Sequence, residues 1–216
     1  MTKKAILTHP ITLEVSATEG GLFEELVEIK EFPDLGSAPD AIDVTTLKDM
    51  QVSNIPGIIN NGEMTFISNY TSENYTVVKD VARTELYYKI NFGTDGVDGA
   101  FGWKGSHEVN ILGAGTNSPV DMQLTVYAES KIQEFIKMVL ANETITVAEL
   151  ATSDESPTLT PADATITYTI ADEAVATVDA SGVVTGVSAG STTLTILATD
   201  EDYASIKKVV PVTVTT

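Results

Sequence analysis

Apolar and polar residues alternate along several stretches of the first part of the chain. Leu86, Tyr88, Ile90 and Phe92 share one face of a run whose other face is Tyr87, Lys89 and Asn91. Met122, Leu124 and Val126 alternate with Gln123, Thr125 and Tyr127; His107, Val109 and Ile111 with Glu108 and Asn110; Met64 and Phe66 with Glu63 and Thr65. A period of two predicts half-buried strands. Two stretches follow a helical period instead. Tyr75, Val78, Val81, Ala82 and Leu86 predict an amphipathic helix over Ser72–Leu86, with Thr71 or Ser72 as its cap. Ile132, Phe135, Ile136, Val139 and Leu140 follow the capping-box-like Ser130-Lys-Ile-Gln133 and predict a second, short helix, although a closing strand would use the same residues. Gly93 to Gly105 carries two Asp-Gly pairs and predicts a long Gly-rich loop or hairpin tip. Phe32 to Gly62 shows neither period. So long an irregular connection is uncommon in a compact domain unless it serves a function.

The chain changes character near residue 142. Beyond it the aromatics shrink to Tyr168 and Tyr203, and Thr, Ala, Val, Ser and Asp take over. Ile166, Tyr168 and Ile170 alternate with threonines, as do Leu194 and Ile196; Val210, Val212 and Val214 alternate with Val209, Pro211 and Thr213. Short strands separated by turns at Asp172-Glu, Ser181-Gly and Ala189-Gly predict a small β-sandwich. Two domains follow, 1–141 and 142–216, both mainly β.

Charge narrows the function classes. Twelve Lys+Arg stand against 31 Asp+Glu, a net charge of −19. Both parts contribute: 10 basic against 20 acidic residues before Asn142, and 2 against 11 from there on. Phosphate neutralisation needs clustered Lys and Arg, so general nucleic-acid binding and an anionic membrane surface are disfavoured. The absence of cysteine removes disulfides, Cys-ligated metals and thiol catalysis. The N-terminal residues hold no apolar run long enough for a signal peptide, no stretch is long and apolar enough for a membrane helix, and the C-terminal residues carry no anchor signal. A soluble chain made in the cytoplasm is expected.

Catalytic constellations are scarce. The histidines are His9 and His107, and His107 lies on the apolar side of its strand, as a core or interface residue would. No Gly-x-Ser-x-Gly, P-loop or dinucleotide fingerprint occurs. Asp95 and Asp98 lack the spacing of an EF-hand. Glu24/Glu25 and Asp154/Glu155 read as chance pairs in an acidic chain, and Trp103 as an anchor in a loop or interface. Neither an enzyme nor a cofactor or metal is expected.

Two resemblances add to this. Residues 172–197 share the phrase Val-Ala-Thr-Val-Asp, a Gly turn, Val-Thr-Gly-Val, then Ala-Gly and a Thr-rich strand. They closely resemble a bacterial immunoglobulin-like group 2 (Big2) domain. Val175 and Val178 would then fill its core, Gly182 its hairpin turn, and Gly186 and Gly190 its tight bends. Its opening stretch around Ser156–Pro161 is compressed relative to the family pattern. Residues 1–141 resemble a phage major tail tube protein of the long, flexible, non-contractile type, on Ile29–Asp49 with its Pro-Asp-Leu-Gly and Ile-Asp-Val-Thr-Thr-Leu phrases, Ile55-Pro-Gly, Asn61–Tyr70 and the Asn74-Tyr75 helix.

The second resemblance implies a β-sandwich or partial barrel flanked by one α-helix. Six copies would form a ring through their sheet edges, and rings would stack into a tube that DNA traverses without specific binding. Phe32, Pro33, Asp34, Leu35, Pro39, Asp40, Ile42, Asp43, Thr45 and Thr46 would form the inter-ring stacking loop. Glu63, Glu85 and Glu108 are candidate lumen carboxylates. Implied partners are further copies, tape measure and terminator proteins, and host-surface glycans through 142–216, with the protein resident in a virion. A bacterial surface adhesin or carbohydrate-binding protein with an Ig-like module is the alternative.

Overall fold

The computed structural model describes residues 11–216, so His9 lies outside it. The chain folds into two compact units, residues 11–17 with 24–132, and residues 18–23 with 133–216. Both are built mainly of strands, as the alternation predicts.

The first unit contains β1 (Ile11–Ser16), β2 (Glu24–Glu28), β3 (Ala41–Asp43), β4 (Asn54–Pro56), β5 (Glu63–Asn69), α1 (Ser72–Asp80), β6 (Leu86–Phe92), β7 (Gly99–Ile111) and β8 (Asp121–Ala128). Its main sheet runs β2-β1-β6-β7-β8-β5, antiparallel throughout. The sheet curls until its two ends meet. The chain just past β2 reaches β5, where Lys30 N–H donates to the Ile67 carbonyl (2.7 Å) and Ile67 N–H to the Glu31 carbonyl (2.9 Å). A right-handed twist accumulated over six strands is what allows such closure.

The alternating residues line the interior of this partial barrel. Leu13, Phe66, Tyr88, Ile90, Met122, Leu124 and Val126 are completely buried. Trp103 stacks between Phe66 (ring centroids 6.1 Å apart) and Tyr88 (5.7 Å), nearly parallel to both. It is therefore a core residue of β7 and not an anchor in a loop. The predicted loop over 93–105 is correspondingly short: only Gly93–Asp98 turns, around a 3₁₀ turn at Thr94–Gly96, and β7 starts at Gly99. The Gly-rich half pairs with β6, and at Gly105 a Cβ would lie 2.2 Å from the Tyr127 carbonyl of β8, so the glycine permits the close approach of the two strands.

The helix α1 starts where the cap predicts. The Thr71 hydroxyl accepts the Asn74 N–H at 3.1 Å. It stops at Asp80 because Leu86 is claimed by β6, and Arg83 takes a left-handed conformation (φ 61°) to turn the chain. Val78 is its fully buried contact with the barrel core.

The second unit contains β9 (Gln133–Glu134), β10 (Lys137–Val139), β11 (Ile145–Ala148), β12 (Thr152–Asp154), β13 (Thr158–Thr160), β14 (Thr165–Ile170), β15 (Ala176–Val178), β16 (Val183–Gly186), β17 (Gly190–Thr199) and β18 (Ile206–Thr215). One sheet runs β11-β18-β17-β14, with β11 parallel to β18; the others are β12-β16-β15 and β10-β13. The shared core is formed by Ile145, Val147, Val184, Leu194, Ile196, Val210, Val212 and Val214, among others.

The helix predicted over 130–140 does not form. Lys137–Val139 pairs with Thr158–Thr160 instead, and Ile136 and Met138 alternate into the core. A helix at this point would strand β13 without a partner. The same burial draws the start of the second unit forward to Gln133, ahead of the composition change at Asn142. In the Big2-like phrase, Ala176 is the fully buried residue, while Val175 and Val178 are half-buried beside it. Gly186 does not bend the chain: a Cβ there would lie 2.5 Å from the Ala148 carbonyl, so it allows close strand approach. Gly182 does turn it, at φ +89°, with the Tyr168 ring 2.7 Å from where a Cβ would stand. Gly182→Ala combines a left-handed penalty with that clash. It is expected to destabilise the second unit by about 1–3 kcal/mol in chemical denaturation.

Candidate functional site

Most of the first unit's loops are short, and one is not. From Phe32 the chain leaves the barrel and returns only at Glu63. Its feet are anchored. Phe32 packs edge-on against Phe92 at 5.5 Å, Leu35 is half-buried against the core, and Asn61 Nδ2 donates to the Ser130 carbonyl at 3.1 Å. Between the feet, β3 and β4 pair as a two-stranded hairpin with Ile42 opposite Ile55 and Asp43 opposite Asn54. Gly57 N–H donates to the Asp40 carbonyl at 2.8 Å and Val44 N–H to the Ser53 carbonyl at 2.9 Å, which extends the pairing at both ends.

The tip is held by its own side chains. The Asp43 carboxylate accepts Thr45 N–H at 2.8 Å, and Ser53 N–H donates to Thr45 Oγ1 at 2.9 Å. The Asp49 carboxylate accepts both Thr46 N–H (2.7 Å) and Thr46 Oγ1–H (2.9 Å). These bonds favour the ionised carboxylates, so Thr45 holds the Asp43 pKa, and Thr46 the Asp49 pKa, below the ordinary value. Short polar side chains closing local turns are the usual use of Asp and Thr.

What this frame displays is apolar. Leu47 and Met50 are fully exposed, Ile58 is 89% exposed, and Ile42, Val44, Val52, Ile55 and Ile59 are exposed as well. A single large apolar side chain on a surface is ordinary, whereas a contiguous group marks an interaction site. The segment 44–62 carries one Lys48 and one Asp49, net zero in a chain of −19. A two-stranded hairpin with no further strand is only marginally stable in water. The arm thus has a hydrogen-bonded hairpin and tip, and its apolar side chains lie without cover among the described residues.

The ten residues expected in a stacking loop divide by position. Phe32 and Leu35 turn back on the barrel; Pro33, Asp34, Pro39 and Asp40 lie along the first foot; Ile42 and Asp43 belong to β3; Thr45 and Thr46 shape the tip. The most exposed members, Leu47, Met50, Val52 and Ile58, escaped that selection. Their signal is present in the chain as apolar residues lacking either periodicity.

Glu63, Glu85 and Glu108 come to one outer side of the barrel. Glu63 faces Tyr127 across β5 and β8, and Glu108 faces Thr125 across β7 and β8. Two of the three are compensated: Glu85 pairs with Lys104 at 2.9 Å and Glu108 with Arg83. Both pairs are solvent-exposed and contribute little to stability. They do subtract from the repulsive charge that those two carboxylates present.

Two further polar groups are internal anchors. His107 is completely buried, bonded through both ring nitrogens to Tyr88 Oη (2.7 Å) and the Val78 carbonyl (2.9 Å). Glu155 is buried too, accepting Ser153 Oγ–H at 2.6 Å and Asn142 Nδ2–H at 3.1 Å. Nothing in the Asp154-Glu155 sequence distinguishes the solvated acid from the buried one. Among the described residues no group of three or more His, Asp and Glu is placed to hold a metal ion, and no helix is long and apolar enough to cross a membrane.

The sandwich geometry of the second unit now meets its sequence. The family model of the bacterial Ig-like domain (group 2) matches residues 135–209. This chain contains a Big2 domain. The match opens on the buried Phe135 and spans β10 to β17 and the start of β18. The Big2 domain therefore includes β10, which the composition change at Asn142 leaves outside. No curated protein matches the chain.

Proposed function

We propose that the chain is a structural subunit that polymerises with itself: the tail tube protein of a long, non-contractile phage tail or of a phage-tail-like bacteriocin. In this reading six subunits make a ring, rings stack into a tube within a virion, and the arm between Phe32 and Glu63 carries the contact from one ring to the next. The Big2 domain decorates the outside and offers weak contacts to host-surface glycans, which repetition along a polymer strengthens by avidity. Tape measure and terminator proteins are the further partners, and no catalysis or cofactor is involved.

The observation that carries the reading is the arm, with its hydrogen-bonded hairpin and uncovered apolar side chains. Acidic copies repel one another, and the net-neutral stretch 44–62 is where they meet at least electrostatic cost. A partial barrel flanked by a single helix supports the same reading. The net negative charge suits a conduit for DNA, because an acidic wall repels phosphates within about 8–10 Å at physiological salt.

A surface-associated Ig-like module is the second reading, favoured by the Big2 match. Negative-stain electron microscopy and light scattering of the purified full chain separate the two. Rings or tubes are the expected result. A monomer at every concentration and salt, together with retention on a glycan array, would replace the first reading by the second.

A further inference from the structure

We propose that His107 is an acid-operated latch that holds α1 on the barrel while neutral and releases it when protonated. A helix leaves its last carbonyls without intrahelical donors. In α1 the Val78 carbonyl is such a group, because Ala82 N–H, its ordinary partner, donates to the Lys79 carbonyl at 3.1 Å instead. His107 on β7 supplies the missing donor. A carbonyl only accepts, so the proton resides on Nε2, and Nδ1 accepts the hydroxyl proton of Tyr88 on β6. Arg83 N–H, just beyond α1, donates to the His107 carbonyl at 2.9 Å. The C-terminal end of α1 is thereby tied to one residue by both main chain and side chain.

A second proton undoes this arrangement. Protonated Nδ1 becomes a donor facing a hydroxyl that is itself donating, so Tyr88 must turn its proton away from the ring and give up the bond it donates. Tyr88 cannot relieve the conflict by ionising, since burial, and after it the charge of Glu129, raises its own pKa. Burial is the main cause that holds the His107 pKa below its ordinary 6.5; the Val78 carbonyl and the charge of Glu108 oppose it. Across β8 the residue opposite His107 is the apolar Val126. The sign follows: the unfolded or detached state binds the proton more readily. The latch is intact above pH 6.5 and weakens as pH falls from there to the folded-state value.

The test is hydrogen exchange on the full chain, read as protection factors of α1 amides between about pH 7.5 and about pH 4.5. Protection is expected to fall by up to about tenfold per pH unit below 6.5 and then level off. His107→Gln, whose amide can still donate to Val78, removes the pH dependence. Tyr88→Phe frees Nδ1 and moves the midpoint upward. Flat protection in the natural chain, or the same pH dependence in His107→Gln, would overturn the latch. Should His107→Gln not fold, the ring itself decides. With only two histidines in the chain, its NMR titration is readily assigned, and proton uptake without loss of α1 protection has the same overturning force.

Discussion

Replacing Leu47, Met50 and Ile58 together by serine is expected to abolish assembly of the full chain and to leave the subunit's thermal unfolding unchanged. The three side chains are almost entirely exposed in the single subunit, so removing them costs it nothing beyond the roughly 0.5 kcal/mol typical of surface substitutions. In an assembled contact each would bury an apolar side chain worth about 1.5–3 kcal/mol, so the triple change weakens each contact by roughly 5 kcal/mol or more, a loss of more than about three orders of magnitude. Sedimentation and electron microscopy read the assembly, and calorimetry reads the fold. Tubes of ordinary length from the triple variant would remove the arm from the contact. A shift in unfolding temperature would mean instead that the arm packs on its own subunit. A deletion would change loop closure at the same time as it removes the contact, whereas the serine variant keeps the Asp43–Thr45 and Asp49–Thr46 frame intact.

The other large effect belongs to the barrel. Phe66→Ala is expected to destabilise the first unit by about 3–5 kcal/mol, a large share of the roughly 5–15 kcal/mol of a whole domain. Phe66 is fully buried on β5, the strand where the curled sheet meets its other end, and it stacks on Trp103. Its removal opens a cavity between two stiff strands and takes one ring from the Phe66–Trp103–Tyr88 stack. Since Trp103 is the single tryptophan of the chain, its fluorescence in urea reports the first unit directly. Phe66→Leu refills much of the space and should cost clearly less. A midpoint that barely moves in Phe66→Ala would mean that the interior collapses around the gap and that the stack is not a structural element.

These two residue groups differ in how visible they are in the chain. Phe66 is legible because its strand is buried on one face only: Met64, Phe66 and Ser68 point in, Glu63, Thr65 and Ile67 point out, and the alternation is written directly into the residues. The same holds for β6 and β8, and for α1, whose cap at Thr71 is a local hydrogen bond. The Big2 phrase is legible for a related reason, since its turn at Gly182 and its core at Ala176 lie within a few residues of one another. Leu47 and Met50 are harder to see. An exposed apolar residue and a buried one are the same letter, and only the absence of a periodic partner separates them.

Other features depend on partners far along the chain. The pattern over Ile132–Leu140 satisfies a helix as well as a strand, and what decides it is the pairing of Lys137–Val139 with Thr158–Thr160. Trp103 sits in a Gly-rich run that reads as a loop until Phe66 and Tyr88 close on it from two other strands. Glu155 differs from Asp154 only because Asn142 and Ser153 are folded against it. Local hydrogen bonds and one-sided burial follow from short-range order and can be read from neighbouring residues. Sheet closure, the choice between strand and helix, and the burial of a carboxyl group are settled by contacts between segments that only folding brings together.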